Sequence, residues 1–222
     1  MKLKICSLII FSAFFTTLNA QDHNFRFGLK AEPALSWFKT DSKNLKSDGS
    51  KLTFSWGFMG EYFFAENYAF AFGVELASRG GIISWNDSGI VSEIDMRLKY
   101  IDIPIAIKMR TNEIGYMRYF GQFGFTPGFN ISAKSDFEVV DFNGNKVSLT
   151  DEDIKSDVVP INVALNIALG LEYGLSGNTA LLISLNFNNG FVDIIKKDFN
   201  DNPEADFKVL SNYAGVTVGV LF

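Results

Sequence analysis

The sequence predicts an all-β protein: an eight-stranded antiparallel up-and-down transmembrane β-barrel that follows an N-terminal signal peptide. Three observations lead to this prediction. A short apolar segment with a basic start opens the 222-residue chain. Large apolar residues then alternate with small or polar ones along eight segments. Short and long connections alternate between those segments, as they do in barrels whose strands cross a bilayer.

The first residues have the pattern of an export signal. Lys2 and Lys4 form a positive start, a short apolar core follows, and Ala20 supplies the small residue that signal peptidase prefers. The apolar core is shorter than the roughly 20 residues that a membrane-spanning helix needs. We therefore expect a signal peptide at residues 1–20, cleaved after Ala20, and one barrel domain at residues 21–222.

Eight later segments alternate with a period of two. Every second residue is a large apolar or aromatic one, and the residues between are mostly Gly, Ala, Ser, Asn or charged. This period places the two sets on opposite faces of a strand. Each segment has the roughly 9–11 residues that a tilted strand needs to cross a bilayer. The predicted strands are 25–37, 52–64, 70–79, 100–110, 118–130, 161–173, 180–188 and 213–222.

The apolar face of these strands is predicted to point outward, towards lipid. It consists almost entirely of Phe, Trp, Ile and Leu, a volume that would overfill the interior of an eight-stranded barrel. The other face has too few Lys and Glu residues for a water-exposed exterior, and its small residues suit a narrow polar lumen. A soluble barrel of the lipocalin type, with an apolar lumen and a wet exterior, is therefore disfavoured.

The connections between the strands alternate in length. Short periplasmic turns and long external loops are typical of outer-membrane barrels, and an even number of strands returns both chain ends to the periplasm. The short turns are 65–68, 111–116 and 174–178, and the long, polar loops are 38–50, 81–95, 132–157 and 190–211.

Four prolines accompany the predicted strands, and Pro33, Pro127 and Pro160 fall towards the loop ends. Pro104 lies well inside the fourth predicted strand, and proline cannot donate a ladder hydrogen bond. We expect a β-bulge there.

The charged residues of the inward face are predicted to form an ion-pair network inside the lumen. Buried charges are tolerated only when they are partnered, and basic and acidic residues on this face are nearly equal in number. The predicted members are Arg26, Lys30, Glu32, Glu61, Glu75, Arg79, Asp102, Lys108, Arg110, Arg118 and Glu172.

The last strand ends on an aromatic residue. Phe222 follows Val216, Val218 and Val220 on one face. This arrangement resembles the β-signal that the barrel-assembly machinery of Gram-negative bacteria reads. We expect Phe222 to be an assembly signal and that machinery to be a partner during insertion.

Two short motifs resemble the PorT-like outer-membrane β-barrel family of Bacteroidota. Residues Tyr100–Pro104, read as YIDIP and followed by Lys108, are similar to that family's fourth strand. Residues Gly190–Ile194 are similar to the segment that opens its last long loop. The likeness in strand layout covers residues 25–222. It implies an eight-stranded barrel in the cell outer membrane, and it implies no single activity.

Charge and composition disfavour several functions. A net charge of −5 and the lack of a basic cluster argue against a nucleic-acid partner. A Ser–His or His–Asp catalytic pair needs a histidine, and the only one, His23, precedes the first strand. The only cysteine, Cys6, lies inside the signal peptide, which leaves the mature chain no thiol chemistry. We expect no catalytic residues, no cofactor and no enzymatic activity.

An acidic segment invites a metal-site interpretation. Asp141–Asn145 with Glu152 partly matches a calcium loop, but Lys146 stands at the sixth position, where that loop needs Gly. A hairpin turn at Asn-Gly is therefore favoured, and no metal site is expected. The wider segment Lys134–Asp157 carries seven acidic residues against three lysines. Cation bridging to lipopolysaccharide and simple solubility both account for this excess.

The leading functional prediction is a non-enzymatic barrel with a side-chain-filled lumen and long external loops, which has a structural or surface-interaction role. Its expected partners are outer-membrane lipids and an extracellular or envelope protein that the loops contact. The alternatives are a narrow pore or small-solute channel, which the small bore of eight strands disfavours, and an accessory component of a secretion apparatus.

Overall fold

The computed structural model describes residues 24–42, 45–87, 90–140, 145–196 and 208–222. The predicted signal peptide and His23 lie outside these ranges. The described part of the chain contains no helix that is long and apolar enough to cross a membrane. Its strands are β1 Phe25–Thr40, β2 Leu45–Ala65, β3 Tyr68–Asp87, β4 Ile90–Asp102, β5 Ile105–Arg110, β6 Met117–Val140, β7 Lys146–Asp153, β8 Ile161–Ser176, β9 Thr179–Gly190 and β10 Val209–Leu221.

Eight wall strands close into a ring in which all neighbours are antiparallel. The order runs β1, β2, β3, β4 with β5, β6, β8, β9 and β10, and β10 pairs back onto β1. β4 and β5 are two parts of one wall strand, because both pair with β3 and with β6. The predicted fold class, an eight-stranded antiparallel up-and-down barrel, is confirmed.

The interruption between β4 and β5 falls at Pro104, where the sequence predicted a bulge. That prediction was wrong. β3 keeps one register through the interruption, since Glu75 opposes Asp102 and Phe72 opposes Ile105 with no residue gained or lost.

Proline is tolerated here because the neighbouring backbone groups remain bonded. The Pro104 carbonyl accepts a hydrogen bond from the Gly73 amide at 3.2 Å, and the amide before Pro104 donates to the Pro127 carbonyl at 2.8 Å. The register shift in this wall strand lies higher, between Lys99 and Tyr100, where β4 meets β6.

The wall has its apolar face outward, as predicted. Phe54, Phe72 and Ile105 are exposed on the outside of the barrel, while Glu75 and Lys108 are buried inside. Two-residue alternation therefore separates a lipid-facing surface from a polar interior.

Two of the short turns use glycine for a backbone conformation that other residues rarely adopt. Gly115 has a φ of 68° and Gly177 a φ of 58°. A left-handed conformation carries no Cβ penalty in glycine. The tight turns at this end of the barrel are therefore encoded locally.

Three of the predicted long loops are largely strand; in the first, residues 38–50, β1 extends to Thr40 and β2 begins at Leu45. β3 and β4 extend through most of residues 81–95, and β6 and β7 occupy most of residues 132–157. The two-residue alternation continues in these segments, but its polarity is reversed, which made them look like polar loops. The extended strands form a sheet that rises above the lipid-facing band on one side of the barrel. Because the longer connections of such barrels are expected on the external side, we call this the extracellular sheet: residues 45–50, 81–87, 90–99, 132–140 and 146–153.

Candidate functional site

The lower part of the lumen holds a compact cluster of four charged side chains, which we call the lower ion cluster. Arg26 lies 2.6 Å from a Glu61 oxygen and 2.8 Å from a Glu172 oxygen. Lys108 is also paired with both carboxylates. Lys108 and Glu172 are each only 1% exposed. Two cations therefore offset two carboxylates in a water-poor interior, the arrangement that makes buried charges tolerable.

A second group, the upper ion cluster, lies further along the lumen. Lys30 pairs with Glu75 at 2.7 Å, and Arg79 pairs with Asp102. Glu32 is the fifth member, and it is buried without a cation in direct contact among the described residues. This cluster contains two cations and three carboxylates.

Neutral donors satisfy one oxygen of Glu32. The Asn186 amide donates to Oε2 at 2.8 Å and the Thr217 hydroxyl at 2.6 Å. Oε1 has no hydrogen-bond partner among the described residues. Glu32 also lines a lumen cavity of about 50 Å³. A space of that size holds only a few water molecules.

Arg110 and Arg118 were predicted members of the lumen network, and the structure places both elsewhere. The Arg110 guanidinium donates to the Glu66 carbonyl at 3.1 Å and lies 3.9 Å from the Phe63 ring centroid. Arg118 pairs with Glu113 at 2.5 Å. Both arginines lie near the ends of their strands: Arg110 stacks on the buried Phe63 ring, which Arg26 also approaches, and Arg118 reaches the adjacent turn.

The top of the lumen is apolar, which the sequence analysis did not predict. Buried side chains from the wall strands meet buried side chains from two connections, before β8 and before β10, and together they form what we call the mouth cluster. The signal that was available was the alternation of Met96, Leu98 and Tyr100, which continues the inward face of β4. The members are Phe38, Ile83, Met96, Leu98, Tyr100, Ala133, Val158, Ile194 and Val209.

Backbone hydrogen bonds hold the two connections in the mouth. The Val159 amide donates to the Ile194 carbonyl at 2.9 Å, and the Ile194 amide donates to the Val209 carbonyl at 2.9 Å. Val158 also forms an isolated bridge with Ile195. The connection that carries Val158 is therefore bonded to the connection that carries Ile194, which is in turn bonded to Val209 of β10. These hydrogen bonds hold Val158 and Ile194 across the opening.

The outer face of the extracellular sheet is charged and paired. Arg97 binds Asp136 through two bonds, at 2.8 and 3.0 Å, and lies 3.3 Å from Asp151. Lys134 lies 2.5 Å from the other oxygen of Asp151. Asp151 has a φ of 62°, and its amide donates to Asp136 at 2.7 Å. That hydrogen bond, together with Arg97, lowers the pKa of Asp136 below its ordinary value.

No group of three or more His, Cys, Asp or Glu side chains in the described ranges is arranged to hold a metal ion. Most of the Asp141–Asn145 segment lies outside those ranges. The strands on either side of it pair as an antiparallel hairpin, with Val140 opposite Lys146.

Phe222 lies at the seam where the barrel closes. Its amide donates to the Phe27 carbonyl at 2.7 Å, and the two rings are 6.1 Å apart. This position joins the two ends of the barrel. The role of Phe222 as an assembly signal stays a prediction.

Comparison with known proteins places the chain in a family. A family model described as "Outer membrane protein beta-barrel domain" matches residues 19–196. No curated protein sequence matches the chain. The outer membrane protein OprG from Pseudomonas aeruginosa has a TM-score of 0.50 at 12% identity, over 90% of this chain and 95% of its own.

Two further solved structures are similar at lower TM-scores. Neisserial surface protein A has a TM-score of 0.45 at 15% identity, over 87% of this chain and 96% of its own. Ail, the attachment invasion locus protein of Yersinia pestis, has a TM-score of 0.37 at 17% identity, over 88% of this chain and 99% of its own. The family match covers most of the chain, so this protein belongs to the family of outer-membrane proteins with this β-barrel domain and resides in the cell outer membrane.

Proposed function

We propose that this protein is a non-enzymatic, non-conducting barrel that serves as a rigid base for an extracellular binding surface. The barrel anchors the chain in lipid, and the extracellular sheet is the part that meets other molecules. This is the structural or surface-interaction role that the sequence analysis favoured.

One observation carries the proposal: the lumen is filled at three levels. The lower ion cluster, the upper ion cluster and the mouth cluster follow each other along the axis. A conducting pore needs a continuous hydrated path, and an eight-stranded barrel has little bore once side chains fill it. The cavity of about 50 Å³ lies within this packing.

A narrow pore is the competing function, and conductance separates the two. The purified barrel, inserted in a planar bilayer, is expected to show no steady openings. Insertion is checked independently by the slower gel mobility of the protein after heating. Reproducible unitary openings from inserted protein would contradict the proposal.

Three finer features also belong to this proposal. The PorT-like resemblance rests on Tyr100–Pro104 and Gly190–Ile194, and with it comes the alternative of an accessory component in a secretion apparatus. Co-purification with large envelope proteins would favour that alternative.

The signal peptide at 1–20 predicts that protein from isolated outer membranes begins at Gln21, which N-terminal sequencing checks directly.

A further inference from the structure

Within the described ranges, β7 has one unpaired edge. It pairs with β6 from Val140 opposite Lys146 to Lys134 opposite Asp153, and no other strand in the described part of the chain pairs with its second edge. All eight of its residues are exposed. An edge strand presents unpaired N–H and C=O groups to any extended chain that approaches it.

The first half of β7 lacks most of the features that block such pairing. Residues 146–149 contain no proline and pair regularly with β6. The one irregularity, at Asp151, comes after them. Val147 is 65% exposed and Leu149 is 52% exposed. Natural edge strands usually avoid exposed apolar residues at an open edge.

These apolar residues continue a surface that begins in the mouth cluster. Leu149 opposes Phe137 on β6, Phe137 opposes Ile94 on β4, and Ile94 opposes Ile83, a mouth-cluster residue. The Trp85 ring lies 5.9 Å from the Phe137 ring. An apolar stripe therefore runs across the sheet and ends at the free edge of β7.

The negative charge at the end of β7 favours a partner that carries a basic residue there. The β6–β7 residues 134–140 and 145–153 carry two lysines and five carboxylates. Both lysines are already paired, Lys134 with Asp151 and Lys146 with Glu138. Glu152 makes no ion pair with the described residues. A basic residue on a partner would therefore meet an excess of negative charge beside the edge.

A second copy in the same membrane does not suit this edge. Two copies in one outer membrane have the same orientation, so their β7 strands would run side by side in the same direction. Asp151–Asp153 of one copy would then lie beside the same carboxylates of the other, and like charges placed opposite each other destabilise strand pairing.

We propose that the free edge of β7 binds an extended segment of another protein by strand addition. The segment carries alternating apolar side chains, which cover the stripe at Val147 and Leu149, and a Lys or Arg near Glu152. Backbone pairing supplies affinity and the alternate side chains supply specificity in this mode of recognition. This inference names the partner class of the extracellular surface and rests on the proposed function.

The test uses a synthetic peptide of about ten residues that alternates Val with Thr and carries one terminal Lys. Binding to the full barrel in nanodiscs is measured by fluorescence anisotropy. Two N-methylated versions carry methyl groups on the odd or on the even residues. Alternate residues point their N–H groups to opposite sides of a strand, so one version is expected to lose binding at least tenfold and the other to bind like the parent.

Variants of the barrel locate the site. The double substitution Val147→Ser and Leu149→Ser is expected to weaken peptide binding about tenfold or more, because it removes the apolar stripe at the edge. Val91→Ser, an exposed apolar change on β4, is the matched control and should leave binding unchanged. Glu152→Gln is expected to weaken binding a few-fold at low salt and to reduce its salt dependence.

Any of four results would overturn the inference. The peptide fails to bind at about 1 mM, or both N-methylated versions bind like the parent, or the Val147→Ser and Leu149→Ser variant binds normally. Concentration-dependent dimers that this variant abolishes, without peptide binding, would identify a second copy as the occupant and also overturn it. Conductance on the same preparation separates the two proposals, since a silent bilayer without peptide binding contradicts this inference alone.

Discussion

The lipid-facing part of the wall, which we call the membrane band, and the extracellular sheet share wall strands. Their apolar and charged residues lie on opposite faces of those strands. Within the band, β5 points Ile105 outward and Lys108 inward. Above it, β4 points Arg97 outward and Met96 and Leu98 inward. The alternation keeps its period of two along the whole wall strand, and only the assignment of polar and apolar residues to the two faces is exchanged.

This exchange shows what each medium demands of the same backbone. Lipid on the outside requires apolar side chains there, so charged groups in the lumen must pair with one another. Above the lipid, water surrounds the outer face, and the inner face becomes an ordinary apolar core. The barrel therefore contains an ionic interior and, above it, a hydrophobic one.

The largest expected loss of stability comes from breaking a buried ion pair, and an exposed ion pair serves as the comparison. Lys108→Met leaves Glu61 and Glu172 with Arg26 as their only cation in the lower ion cluster. Removing one partner of a buried pair costs about 3–5 kcal/mol. The measurement is urea unfolding of the folded barrel in lipid. Lys146→Met removes the exposed pair with Glu138 and is the control, with little expected change. Equal losses for both variants would show that the lumen charges are not energetically buried.

The next effect tests the apolar interior above the band. Phe38→Ala removes a fully buried ring from the mouth cluster, and large-to-small changes of this kind cost about 3 kcal/mol. Leu149→Ala, at an exposed apolar site on β7, should change the stability by less than about 0.5 kcal/mol. Both values come from the same unfolding assay. A neutral Phe38→Ala would mean that the mouth is loosely packed and that the seal proposed for the lumen is absent.

A charge placed on the outer face should cost more in the band than above it. Ile105→Lys puts an ammonium against lipid, which costs about 2 kcal/mol when the site is well inside the bilayer. The reciprocal change Lys99→Ile, on the outer face above the band, should have a much smaller effect. The unfolding midpoints of the two variants make the comparison. An unfolding midpoint for Ile105→Lys equal to that of the parent would indicate that water, and not lipid, surrounds this face.

The smallest expected effect is a loss of local stability in the β6–β7 hairpin at acidic pH. The hydrogen bond from the Asp151 amide and the ion pair with Arg97 lower the pKa of Asp136 from its ordinary 3.8. A carboxylate with a lowered folded-state pKa contributes stability above its unfolded pKa and loses it as the pH falls through the folded value. The protection factors of amides in the β6–β7 hairpin, which compare measured with intrinsic exchange rates at each pH, should therefore fall below about pH 4. Asp136→Asn should lower these protection factors at neutral pH and reduce their further fall in acid, and an unchanged acid response would contradict this assignment.

The sequence predicted the band well because its two faces differ in every strand. Large residues such as Phe54 and Phe72 alternate with small or charged ones, and one consistent period fixes strand positions and faces together. The members of both ion clusters could be identified for the same reason. The positions of Arg110 and Arg118 could not, because the reach of a long side chain at a strand end depends on the turn beside it.

The extracellular sheet was missed for a physical reason as well. Its charged outer face and the acidic run from Asp151 to Asp153 have the composition of a loop. Its inward residues, such as Leu98 and Tyr100, follow directly from the strand below but reverse the expected polarity. Pairing between β6 and β7 is a tertiary feature, and Val158 and Ile194 enter the mouth from connections that have no alternation at all.

A cysteine scan along β4 and β5 tests the polarity exchange most directly. Cys6 is the only native cysteine, so single cysteines at positions 96–107 report separately on lipid and water in a reconstituted bilayer. We expect Cys at 101, 105 and 107 to be reached only by a lipid-soluble reagent and Cys at 97 and 99 only by a water-soluble one. Cys at 96, 98 and 100 should be protected from both. Labelling of these last three positions by the water-soluble reagent would contradict a sealed apolar mouth and a closed barrel.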